Sequence, residues 1–327
     1  MEYLKLSDYV QSAPDTLSKG VAQQLRNESV LLDNLNFLTT GTLSVRNLRE
    51  TFDENDIPWN EINEELGSVA HGKPEEIQAS GFSFGSSIKV DHKLVEDKSP
   101  RTYDPRERQT TITVRKMARQ FSDVIINNTA ALNTKAPIGL KSFIDLYLPN
   151  QKVIADAGGL DLALTAPTYA INNHKFWRML DRAKMMVDGG ATHILCNDTF
   201  IRCAKALARE STLLTTSKDA LGRDITEYDG MKFINVGVKD RKTEAKIITD
   251  NEKADGTQGS VSDKFTSIYL LRMGPDHFQP WQMKALEVTD HGRLKGSVFY
   301  QTDIEWVVGY LVTDTKSIAR VHGLKME

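Results

Sequence analysis

Of the two cysteines in this 327-residue chain, Cys196 stands where a thiol can do chemistry. It ends the apolar run His193–Cys196, just before Asn197 and Asp198, which read as the cap of a helix. Backbone N–H groups at a helix N-terminus lower a thiol pKa and can cradle an oxyanion. His174 and His193 are the candidate bases. Against this, free cysteine is among the most buried residue types, and no third residue is placed to orient a base. Cys203 lacks the close spacing to Cys196 that a metal motif needs. Glu61, Glu64 and Glu65 could hold a cation, but the order of ligands in a calcium loop is missing, so a solvated or partner-facing acidic face is the better reading. The seven histidines are scattered singly. No dinucleotide or phosphate loop, zinc-protease helix or nucleophile elbow is present. Of the glycine pairs, Gly158-Gly159 is no cofactor loop, and Gly189-Gly190 ends a helix. We assign no catalytic residue, no cofactor and no metal, and expect no enzymatic activity.

The elements that would position such residues sit in an ordinary total: 41 bases against 44 acids, a net charge of −3, with 40% apolar and 26% charged residues. At about 150 residues per domain this length predicts two domains. The balance excludes disorder and a whole-chain basic field for nucleic acid or anionic lipid. Two cysteines exclude a disulfide framework. The first residues lack the apolar core of a signal peptide, and no run approaches the ~20 apolar residues of a membrane span. A soluble protein of a reducing compartment is expected.

Locally the charge is far from balanced. Residues 50–80 carry nine acids and one base (Lys73), a net −8, whereas residues 81–119 carry nine bases and five acids, a net +4. Two strand-like runs flank the acidic stretch: Thr42–Leu48, which alternates imperfectly, and Phe82–Val90, with Phe82, Phe84, Ile88 and Val90 on one face. They predict a long polar hairpin that cannot stand alone in water and must rest on something else. Opposite charges in adjacent segments suit either complementarity between neighbouring copies or mutual pairing within the hairpin.

A marked helix follows. Asp104 is the N-cap, Pro105 the first helical residue and Glu107 the third, and Val114, Met117, Ala118, Phe121, Val124 and Ile125 form one stripe ending near Asn128. The β-branched run Thr110–Val114 lowers helix propensity there. Beyond Pro137 the chain reads as a mixed α/β body. Helices are expected at Thr168–Asp188 and Thr199–Glu210, and strands at His193–Cys196, Met231–Val238, Ala245–Thr249, Thr266–Met273 and Asp303–Val312. Residues 251–264 read as a polar surface loop. The regular alternation of a doubly wound sheet is absent.

This order (extended N-terminal arm, long polar hairpin, long capped helix, α/β body closed by strands) resembles the major capsid protein of tailed bacteriophages, the Hong Kong 97 fold. Thr226–Gly237 is similar to a stretch often seen in the axial (A) domain of that family. The closing run Gln301–Leu311 with Ala319–Leu324 is similar to its last strands, and Pro137–Ile144 to the entry into its peripheral (P) domain. The resemblance implies an α+β fold with an N-arm at residues 1–41, an E-loop at 42–98, the spine helix and first part of the P domain at 99–190, an A domain at 191–287 and the rest of the P domain at 288–327. Loops 212–223 and 251–264 would then be mobile loops near the centre of a ring of subunits.

The function it implies is a major capsid protein that assembles into pentamers and hexamers of an icosahedral head around double-stranded DNA. Its partners would be other copies of itself, a separate scaffolding protein, a portal protein, decoration proteins and the DNA by non-specific contact, with no membrane. It would be a virion component assembled in the host cytoplasm. The alternatives are an encapsulin-like protein shell and a cytosolic α/β enzyme using Cys196. Trp59, Glu61, Glu64, Glu65, Lys73, Arg106, Arg108 and Arg115 are the candidate inter-subunit residues. Lys–Asn cross-links known in some relatives are not predicted.

Overall fold

The computed structural model describes residues 2–5, 16–49, 59–62, 64–65, 75–97, 104–156, 158–163, 166–209, 214–218, 222–260 and 262–326. In chain order the elements begin with β1 (Glu2–Lys5), α1 (Thr16–Glu28), α2 (Val30–Asn34), β2 (Asn36–Thr39), β3 (Ser44–Arg49), β4 (Glu75–Ser80), β5 (Phe82–Asp91), α3 (His92–Glu96), α4 (Pro105–Asn127) and α5 (Leu140–Tyr147). Next come β6 (Lys152–Ile154), β7 (Leu160–Asp161), α6 (Tyr169–Met186), β8 (His193–Cys196), α7 (Asp198–Ala208), β9 (Thr215–Lys218), β10 (Asp224–Tyr228) and β11 (Met231–Asn235). Strands close the chain: β12 (Val238–Asp240), β13 (Ala245–Lys246), β14 (Phe265–Leu271), β15 (Phe278–Gln282), β16 (Glu287–Arg293), β17 (Phe299–Val312) and β18 (Ile318–Lys325).

The long helix α4 starts as its sequence dictates. Asp104 is extended and its Oδ1 accepts a hydrogen bond from the Arg106 N–H at 2.8 Å, with Pro105 in the first turn. Val114, Met117, Ala118, Phe121, Ile125 and Ile126 share the buried face. The helix stops at Asn128, whose side-chain amide donates to the Asn133 and Pro137 carbonyls at 3.0 and 2.8 Å and so folds the chain back.

Two large sheets flank this helix. The first runs β1-β2-β15-β17-β16, with β5 on the other edge of β17. The second runs β6-β18-β14-β8-β11-β10-β9, with β7 also on β18. Strand alternation in the second sheet splits its side chains between two cores. Leu195, Tyr269 and Leu271 join α4 and the first sheet, while Ile194, Cys196, Ile268 and Leu270 pack under α6 and α7 with Phe176, Leu180 and Phe200. An aromatic knot fixes α4 to the first sheet: Trp306 lies 5.1 Å from Phe37 and stacks at 5.4 Å on Phe121.

Three expectations change. Phe82–Asp91 is not the return strand of the hairpin. It pairs antiparallel with β17 along Phe82–Asp91 against Phe299–Val308, and the return strand is β4. The reason is burial, since Ile88 and Val90 belong to the core around α4 whereas the strand Glu75–Ser80 has only the short apolar pair Ile77 and Ala79. The segment before Gly41 is not extended throughout. Helices α1 and α2 occupy it, and Val21, Leu25, Leu31, Leu32 and Phe37 join the main core. Finally, residues 251–258 are pinned. Glu252 is buried and accepts hydrogen bonds from Arg320 at 3.2 Å, from the Lys141 ammonium at 2.8 Å and from the Ser267 hydroxyl, while Arg320 also donates to the Gly256 carbonyl at 2.7 Å.

Candidate assembly surface

The hairpin is built from its base outward. β3 and β4 pair from Ser44 opposite Ser80 to Arg49 opposite Glu75. Val45, Ile77 and Ala79 rest on the buried side chains Leu38, Trp281 and Leu311. Asn47 donates to the Thr313 hydroxyl at 3.1 Å, and Arg49 donates to the Val312 and Thr313 carbonyls, each at 3.0 Å. Gly81 leaves the hairpin where a Cβ would lie 2.8 Å from the Trp281 ring, so a side chain there would push the indole out of the core. On the outer face Arg46 pairs with Glu76 at 3.2 Å, and on the face toward the body Arg49 pairs with Glu75 at 3.7 Å. Two of the five described acids of residues 50–80 are thus answered within the hairpin.

Further out the described residues lie at the surface. Trp59, Glu61, Ile62, Glu64 and Glu65 are all exposed, and Trp59 and Ile62 are exposed in full. The other three tryptophans (Trp177, Trp281 and Trp306) are buried. The Glu64 N–H donates to the Glu61 carbonyl at 3.1 Å and the Glu64 carboxylate accepts from the Glu61 N–H at 2.8 Å, closing a turn. Lys73 lies outside the described residues.

The basic candidates on α4 behave differently. Arg106 donates to Asp290 at 2.5 Å and lies over the Tyr300 ring at 4.9 Å, tying the helix start to β16 and β17. Burial alone would raise the Asp290 carboxyl, but Arg106 and the Gly292 N–H outweigh it and hold the group below its ordinary range. Arg115 pairs with Glu28 at 2.8 Å and Arg119 with the same carboxylate at 3.2 Å, clamping the end of α1 to α4. Arg108 is exposed on α4. So the structure gathers Trp59, Glu61, Glu64 and Glu65 at an uncovered turn and engages Arg106 and Arg115 inside their own chain. Arg46 and Arg49 were missed because they precede the acidic stretch. Counting charge across paired strands, instead of along the chain, would have found them.

Cys196 is fully buried, with its Sγ 3.6 Å from the Ile234 carbonyl. Burial, and then the Asp198 charge, push its thiol far above the usual range, so it is neither accessible nor ionised as a nucleophile must be. Among the described residues no three His, Cys, Asp or Glu side chains are grouped to hold a metal ion. No helix among them is long and apolar enough to cross a membrane.

No family model matches the chain, and no curated protein matches it. Solved structures do. The holo-SrpI encapsulin complex of Synechococcus elongatus PCC 7942 superposes with a TM-score of 0.58 at 14% identity, covering 91% of this chain and 88% of that one. The capsid of the native GTA particle gives 0.55 at 15% identity, with 92% and 90% covered. The capsid of Myoviridae phage XM1 gives 0.54 at 11% identity, with 88% and 90% covered. The chain has the Hong Kong 97-type shell fold. Its long hairpin is β3–β4, its long helix is α4, and the two mixed sheets around α4 complete it. Among the described residues, Trp59 and Ile62 in the outer part of the hairpin are the most exposed of the large apolar side chains.

Proposed function

We propose that this chain is a shell subunit: a major capsid protein of a tailed bacteriophage whose copies close into pentamers and hexamers around double-stranded DNA. The observation that carries this reading is the hairpin. Its base is bolted to Trp281, Leu311 and Thr313, yet its outer turn presents Trp59, Ile62 and three carboxylates that are all exposed among the described residues. An apolar and charged surface of this kind is stable only against a neighbour, and the same contact repeated around an axis closes a ring. Many modest contacts on one lattice then add up. The fold, shared with phage and GTA capsids, supports the same reading.

On this reading the N-arm covers residues 1–41, the E-loop 42–98, the spine helix and the P domain 99–190 with 288–327, and the A domain 191–287. A separate scaffolding protein, a portal and decoration proteins are the other virion partners. The role is structural, not enzymatic, which the buried Cys196 supports. An encapsulin-like shell is the second reading, favoured by the similarity to the SrpI encapsulin. The test is negative-stain electron microscopy of the expressed chain, with and without a candidate scaffold. Closed shells are expected; those made in the infected host should hold DNA, and protein cargo instead would establish the second reading. Soluble monomers under every condition would sink both.

A further inference from the structure

The net charge of −3 hides a second cationic region. Residues 169–209, which form α6, β8 and α7, carry seven bases and three acids, a net +4. Folding puts most of those bases on one surface. α6 and α7 lie on the same side of the second sheet, over Ile194, Cys196, Ile268 and Leu270, and they meet where Phe176 and Phe200 pack at 5.8 Å. The apolar faces of both helices point into that core, so their polar faces point out. On α6 Arg178 and Arg182 stand one turn apart, and on α7 Arg202 and Lys205 share a stripe with Arg209 just past its end. All five are exposed, and Arg178, Arg182, Lys205 and Arg209 are in no ion pair among the described residues. The acids on the two helices are already engaged: Asp181 accepts from the Tyr228 hydroxyl at 2.7 Å, and Asp198 pairs with Lys246 at 3.0 Å.

We propose that this two-helix face is where the subunit meets the phosphodiester backbone of packaged double-stranded DNA, so that α6 and α7 line the lumen of the shell. This rests on the shell reading and assigns its DNA contact to named residues. Duplex DNA carries one negative charge per ~1.7 Å of axis, so a row of unpaired cations binds it by releasing counterions, whatever the sequence. The row is held rigid because the opposite faces of both helices are core. An acidic protein fits this face less well, since a protein partner is held chiefly by buried apolar or aromatic anchors. The large apolar side chains exposed on the two helices, Ile171 and Met185, stand at opposite ends of α6, about 20 Å apart at the helical rise.

The test measures the affinity of the full-length chain for a short mixed-sequence DNA duplex between about 50 and 200 mM salt, by fluorescence anisotropy. Each cation that neutralises a phosphate contributes about 0.9 to the slope of log affinity against log salt. Arg178→Gln with Arg182→Gln and Lys205→Gln should flatten that slope by about 2.7, so that the natural chain loses about 40-fold more affinity across the range. Arg178→Lys with Arg182→Lys, which keeps the charge, should leave the slope unchanged. Because these side chains are exposed, the triple variant should keep the melting temperature of the natural chain and still close into shells. Three outcomes overturn the inference and leave the shell reading standing. One is no binding by the natural chain or an unchanged slope in the triple variant. Another is competition by poly-glutamate as strong as that by DNA of equal charge, which makes the face a site for an acidic protein. The third is loss of shells by a triple variant that melts normally, which makes the face a contact between copies. Natural chains that never form shells overturn the shell reading, and this inference falls with it.

Discussion

Two segments before the long helix look alike as polar, peripheral pieces of chain, yet they have opposite fates. Residues 16–39 send Val21, Leu25, Leu31, Leu32 and Phe37 into the main core and are clamped to α4 by Glu28. The hairpin commits only its base, and its outer turn is exposed. The difference lies in apolar periodicity: α1 places Val21, Ala22 and Leu25 on one face, which buries side chains at about 1.5–3 kcal/mol each. The described part of the outer turn has Trp59 and Ile62 amid acids, too little to build a core.

Truncation should separate the two most sharply. Deleting residues 1–35 should leave no cooperative unfolding transition in the subunit. Replacing residues 50–74 by Asn-Gly, a turn that joins Arg49 directly opposite Glu75 in the existing register, should keep the subunit's melting transition and abolish shells. If the shortened hairpin unfolds the subunit, the hairpin belongs to the core and the contrast fails. At single-residue scale, Leu25→Ala should cost about 2–5 kcal/mol in urea unfolding, while the same change at the exposed Leu48 should cost under about 0.5 kcal/mol. Glu28→Gln, which leaves Arg115 and Arg119 facing an uncharged amide, should cost about 1 kcal/mol.

The pinned loop at 251–258 adds a pH test. His322 is buried and its Nδ1 lies 2.9 Å from the Ala254 carbonyl. Burial leads the causes that push its imidazole below the ordinary range, and the Arg320 and Lys152 charges add to it against the Ala254 bond and Glu252. The unfolded chain then binds a proton near pH 6.5 that the folded one still refuses, so stability should be complete above that pH and decline as pH falls below it. His322→Gln should flatten this decline in unfolding curves taken from pH 7 down to pH 5. The smallest effect belongs to the hairpin's outer face: Arg46 and Glu76 are 64% and 57% exposed, and Arg46→Ala should change stability by under about 0.5 kcal/mol, less still in high salt.

Much of this was legible from local rules. Asp104 and Pro105 set the start of α4 within a residue, and Gly189-Gly190 closed α6 close to its observed end, because caps and stops act over a few neighbouring atoms. The strand His193–Cys196 was readable from four residues, and Cys196 is buried in it. The partner of β3 was not legible. Glu75–Ser80 carries only the two-residue alternation of Ile77 and Ala79, too short to stand out, and it becomes a strand by pairing with β3 and laying both on Trp281 and Leu311. The charge roles were misread for a related reason: a sum along the chain does not show that Arg106 and Arg115 are engaged by Asp290 and Glu28, residues distant in sequence.

By itself the sequence determined the long capped helix, the buried strand at Cys196, the polar segment that must rest on something else, and the order of elements that resembles a shell subunit. Tertiary structure alone decided which of the first hundred described residues belong to the core, which charges are already paired, and that β4, not β5, closes the hairpin. The division has one physical reason. Caps, turns and periodicity are short-range and written in neighbouring residues, whereas burial and ion pairing depend on segments that only folding brings together.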